Sequence, residues 1–78
     1  VSAPSGDLTT YGELATILDA LPLLLREGRR YRRLSMRAAA EQMGLSFSTL
    51  SRVESGSECV LSAAVTILRW LDQPREGT

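Results

Sequence analysis

Histidine and lysine are both missing from this 78-residue chain, and cysteine occurs once, at Cys59. Without a histidine there is no imidazole for general-base work, and one thiol forms neither an internal disulfide nor a Cys/His metal site. Cys59 therefore reads as packing or a loop bystander. A glycine-rich phosphate loop, a GxSxG elbow and paired carboxylates set in an apolar run are missing as well, so an enzyme is the least supported class, with no cofactor and no metal expected. No apolar run approaches the roughly 20 residues that span a bilayer. The opening VSAPSGDLTT has neither the basic region nor the apolar stretch of a secretion signal. The expectation is a soluble, cytoplasmic protein with no membrane partner.

What is present is enough for one small domain. At 44% hydrophobic content nearly every helix must contribute to a single core. Formal net charge is zero, but it is unevenly spread: Arg26 to Arg37 holds six arginines and one glutamate, a charge of +5 that leaves −5 for the remainder. The molecule is an electrostatic dipole, and its positive end lies just ahead of the central segment described below. That all nine basic residues are arginine points to a GC-rich genome.

Residues 1–9 lack periodicity and read as a flexible lead-in, the domain as 10–72, and 73–78 as a polar tail. Thr10 and Glu13 have the spacing of a capping box, and Leu14, Ile17, Leu18 and Leu21 follow on one helical face. Pro22 then demands a break near Ala20–Leu21, with Asp19 available as the next cap, or a kink within one helix. The second helix runs from about Pro22 to Arg33 with Leu21 and Leu25 as core positions. Near the end of the chain Leu61, Ala64, Leu68 and Leu71 repeat at helical spacing beside Ile67. Trp70 lies off that stripe and reads as core over the first helix or as a dimer contact.

Between these helices, Ser35 to Gly56 reads SMRAAAEQMGLSFSTLSRVESG. Ala39 and Met43 are one helical turn apart, as are Leu50 and Val53, with Leu45 buried between the two sets. Gly44 suits the left-handed end of the first helix and Ser46 the N-cap of the next, a connection of about three residues. Helices joined so tightly cross steeply, which is the geometry of a helix-turn-helix that presents its second helix to the DNA major groove. Ala40 supplies the small side chain that the crossing needs.

Leu34-Ser35, Ala39-Ala40, Met43-Gly44-Leu45-Ser46 and the run from Ser48 through Thr49-Leu50-Ser51-Arg52-Val53-Glu54 to Gly56 together resemble the helix-turn-helix of the Xre/Cro family, to which the lambda-like phage repressors belong. With flanking helices the resemblance covers about Leu21 to Leu71. Met36 stands where the family usually has glutamine, while Ala39 and Gly28 stand where it has larger aliphatics. The resemblance implies an all-α, lambda-repressor-like bundle of about five helices with the helix-turn-helix at 35–56 and an extra N-terminal helix.

The function implied is that of a sequence-specific regulator, Cro-like or repressor-like, that occupies an operator on double-stranded DNA. An antitoxin with a toxin-binding surface and a recombination directionality factor are the alternatives. If Leu50 and Val53 face the core, then Phe47, Ser48, Ser51, Arg52 and Ser55 lie opposite. By resemblance Phe47, Ser48 and Arg52 meet base edges, with Ser51 beside them, although a phenyl ring at Phe47 also reads as a core aromatic. Backbone phosphates fall to Ser35, Met36 and Arg37 at the start of one helix, to Ser46 before the next, to the amides of Ser55, Gly56 and Ser57, and to Arg30, Arg32 and Arg33. The resemblance also implies a buried ion pair between Arg29 and Glu54. Many relatives bind palindromes as dimers; no coiled-coil repeat or separate dimerisation domain is visible here, so a homodimer formed only on DNA fits.

Overall fold

The computed structural model describes residues 10–73. The expected lead-in, 1–9, and residues 74–78 of the expected tail lie outside the described residues. Helix α1, Tyr11–Asp19, begins at the expected capping box: Thr10 Oγ1 accepts from the Glu13 amide at 3.0 Å, and Glu13 Oε1 accepts from the Thr10 amide at 2.9 Å. Helix α2, Leu21–Tyr31, follows after Ala20 alone, with Pro22 in its first turn, where a missing amide leaves no bond unmade. These are two helices, not one kinked one. Asp19 does not cap the second; Ala20 holds that position without a side-chain hydrogen bond.

Three further helices follow among the described residues: α3, Met36–Met43; α4, Phe47–Glu54; and α5, Leu61–Asp72. No strand occurs among the described residues. Helices α2, α3 and α4 end alike, each on a left-handed residue: Arg33 at φ 57°, Gly44 at 74° and Gly56 at 89°. In each case the next amide reaches five residues back, Leu34 to Arg29, Leu45 to Ala40 and Ser57 to Arg52, at 2.9–3.0 Å. These bonds satisfy carbonyls that a helix end otherwise leaves open, and they turn the chain sharply.

The core is built by four of the five described helices. Leu21 and Leu25 of α2 meet Ala39 and Ala40 of α3, Leu50 and Val53 of α4, and Ala64, Ile67 and Trp70 of α5. Leu34, Met36, Met43 and Leu45 are half-buried around it. Helix α1 contributes no buried residue. Of its expected apolar face only Ile17 is half-buried, while Leu14 and Leu18 are 43% and 44% exposed. The break at Ala20 separates α1 in phase from Leu21, so the sequence stripe that looked continuous is divided between a marginal helix and a core one.

The buried face of α5 is rotated from the expected one. Ala63, Ala64, Ile67 and Trp70 are buried, Leu68 and Leu71 sit at the margin, and Leu61 is exposed. Trp70 sets that rotation, since its large ring gains most from burial while its indole N–H donates to Gln42 Oε1 of α3 at 3.0 Å. The indole lies beside Gly28 of α2, with the Arg32 guanidinium 4.3 Å from the centre of its ring. A β-carbon on Gly28 would collide with Leu71 Cδ2 and stand 3.4 Å from the indole, so any other residue here requires the tip of Leu71 to shift. None of the described helices is long and apolar enough to cross a membrane.

Candidate nucleic-acid interface

The α3–α4 pair is held in one geometry by caps at every end. Ser35 Oγ accepts from the Ala38 amide at 3.0 Å, and Ser46 Oγ accepts from the Thr49 amide at 3.1 Å. Between the helices stand only Gly44, Leu45 and Ser46. Gly44 is left-handed with nothing near its missing side chain, so its role is conformational. Ala39 and Ala40 are both buried, which brings the backbone of α3 close to its neighbours.

The far end of α4 is tied to α2 by the Arg29–Glu54 pair. Arg29 Nε donates to Glu54 Oε2 at 2.8 Å and Nη2 donates to Oε1 at 3.0 Å, while Nη1 donates to the Leu34 carbonyl at 3.2 Å. The fork matches the carboxylate bidentately, with Glu54 buried to 7% side-chain exposure. The hydrogen bond to Glu54 raises the Arg29 pKa above its usual value, against the lowering effect of burial, so the guanidinium stays charged. Arg26 adds a looser contact to Glu54 at 3.9 Å.

With Leu50 and Val53 turned inward, the outer face of α4 carries Phe47, Ser48 and Arg52 in solvent and Ser51 half-buried. Phe47 is therefore not a core aromatic. Its ring is 42% exposed, and the guanidinium of Arg37, in the first turn of α3, lies over it at 4.6 Å from the centroid. Ser48 and Arg52 are four residues apart on one side of the helix, with Phe47 and Ser51 beside them. Comparison with protein-family models, with curated proteins and with solved structures gave no match. The functional reading rests on this geometry and on the sequence pattern.

Several of the expected phosphate contacts have other roles. The guanidinium of Arg32 donates to the carbonyls of Gly28, Trp70 and Gln73 at 3.0–3.2 Å and lies 4.3 Å from the centre of the Trp70 ring. It closes the C-terminus of α5, where a cation is favoured, and is not free for DNA. The side chain of Met36 packs against the core. In the turn after α4 the amides of Ser55, Gly56 and Ser57 already donate to the carbonyls of Ser51, Val53 and Arg52, so they have nothing left to offer a phosphate. Of the two serine hydroxyls, Ser55 Oγ already donates to the Arg52 carbonyl at 2.9 Å and lies 3.2 Å from Ser57 Oγ. Ser46 Oγ is engaged by Thr49 through both its proton and a lone pair.

Arg30, Arg33, Arg37 and Arg52 are exposed and form no ion pair among the described residues. Arg33 holds a left-handed backbone where a glycine would be free of strain, a cost of about 1–2 kcal/mol for a residue with a β-carbon. Such strain is a pointer to a functional side chain. Sequence reasoning missed the stack of Arg37 on Phe47 and the closure of α5 by Arg32. Both join different helices, and no periodicity within one helix reports a contact of that kind. The left-handed Arg33 was signalled only by the short Tyr31–Ser35 interval between helices.

Proposed function

We propose that the protein is a sequence-specific double-stranded DNA-binding regulator in which α3 and α4 act as a helix-turn-helix and α4 enters the major groove. The observation that carries this reading is the three-residue Gly44-Leu45-Ser46 connection between two capped helices, the second of which turns Phe47, Ser48 and Arg52 outward. A helix so presented offers base-edge chemistry, with the unpaired arginines Arg30 and Arg33 available for phosphates. The resemblance to the Xre/Cro pattern supports a Cro-like or repressor-like role at an operator, with a second protomer joining on DNA.

The exposed Leu14 and Leu18 on α1 favour a second reading, an antitoxin in which that helix binds a protein partner. Selection of bound sequences from a random duplex pool tests the first reading. One enriched half-site, single or repeated as a palindrome, is the expected result. No enrichment, with affinity indifferent to salt, removes it and leaves the protein-binding reading.

A further inference from the structure

Arg37 is held against a side chain of the next helix. It belongs to the first turn of α3, at the positive end of that helix dipole, and it leans over the first residue of α4, near the positive end of a second. A lone cation is disfavoured there, and a carboxylate partner would offset it. Instead its guanidinium lies over the face of Phe47, 4.6 Å from the centroid, with no acid paired to it among the described residues. The ring, itself 42% exposed, is not filling the core. Two exposed side chains from different helices thus hold each other at the N-terminal end of α4.

We propose that Arg37 and Phe47 form one composite reader for two adjacent base pairs, a thymine and a guanine, with Phe47 against the thymine C5-methyl and Arg37 donating to guanine O6 and N7. This rests on the DNA-binding reading above and moves Arg37 from the backbone to the bases. The N-terminal end of the recognition helix goes deepest into the groove, so a guanidinium stacked on its first residue reaches the same depth. The chemistries of the two groups match the two bases: a planar fork of donors for the acceptor pair of guanine and an apolar surface for the methyl that only thymine presents. Because each side chain orders the other, little rotamer entropy is lost on binding.

The test uses the full chain and the duplex that it selects from a random pool. Three variants accompany the wild type: Phe47→Ala, Arg37→Ala and Arg37→Lys, all at exposed positions outside the core. The expected wild-type site contains a thymine beside a guanine. Replacing that thymine by deoxyuridine, which removes the methyl alone, should weaken binding roughly fourfold, the worth of about one buried methyl-sized group. It should do nothing to Phe47→Ala. Arg37→Ala should lose about tenfold or more of its discrimination at the guanine, and Arg37→Lys, which keeps the charge but not the fork, should not restore it. If Arg37→Lys binds as the wild type and Arg37→Ala loses affinity equally on every duplex, Arg37 is a phosphate contact and the composite reader is wrong, while DNA binding stands. A pool with no enriched sequence removes both.

Discussion

Arg29 reaches Glu54 with two donors and Leu34 with a third, so its loss leaves a carboxylate that is 7% exposed facing only the looser, half-exposed Arg26. Arg29→Ala should destabilise the fold by about 3–5 kcal/mol, read as a shift in the urea midpoint at unchanged slope. Replacing both partners by apolar residues of similar volume should cost far less, because no buried charge is then left alone. Arg33 behaves in the opposite way. Arg33→Gly relieves a left-handed arginine at φ 57° but adds freedom to the unfolded chain, for a net gain of up to about 1 kcal/mol. On the DNA-binding reading the same substitution weakens binding and makes the salt dependence shallower by about 0.9. Stability that rises while affinity falls is the signature of a residue kept for its side chain; a variant unchanged in DNA affinity refutes the phosphate role of Arg33.

At the scale of the elements, α2 meets the side chains of Leu71 and Trp70 tightly at Gly28. The Xre/Cro-type aliphatic at that position would drive Leu71 and Trp70 outward, and Gly28→Leu should cost about 1–3 kcal/mol in denaturant unfolding despite its better helix propensity. Helix α1 makes the contrasting case. Leu18→Ala, on a helix with no buried residue, should cost under about 1 kcal/mol, whereas Leu25→Ala in the sealed core should cost about 2–5. Equal losses would mean that α1 is covered. The caps of α1, α3 and α4, the break at Ala20 and the Gly44 turn were legible because each depends on one or two neighbouring residues. The rotation of α5 was not, since the period of Leu61, Leu68 and Leu71 fits a helix face as well as the buried Ala63, Ile67 and Trp70 do. Only packing against Gly28 and Gln42 decides between them. Arg32 illustrates the same limit at the candidate site: in a run of arginines charge alone does not tell which one turns back to close a helix 38 residues further on.

The whole molecule is neutral yet polarised, with +5 between Arg26 and Arg37 set against −5 elsewhere. Much of that positive charge is internal: Arg29 is paired with Glu54 and Arg32 with the end of α5. What remains for phosphates on the DNA-binding reading is Arg30 and Arg33, together with the unbonded first amides of α3 after its Ser35 cap. About three neutralised phosphates per protomer give a slope of log affinity on log salt near −2.7, at roughly −0.9 each. The slope also counts protomers. Two copies on a palindrome should give about −5.4, and if the second joins only on DNA the free protein should sediment as a monomer under the same conditions. An Arg37 that touches phosphate instead of guanine adds about −0.9 per protomer, which Arg37→Ala would then remove. Binding measured between 50 and 200 mM salt on the selected duplex separates these cases, because the values differ by more than the usual error of such slopes. A slope near zero at measurable affinity is incompatible with any of them, since recognition of duplex DNA without release of its counterions leaves no role for the arginines on which the reading depends.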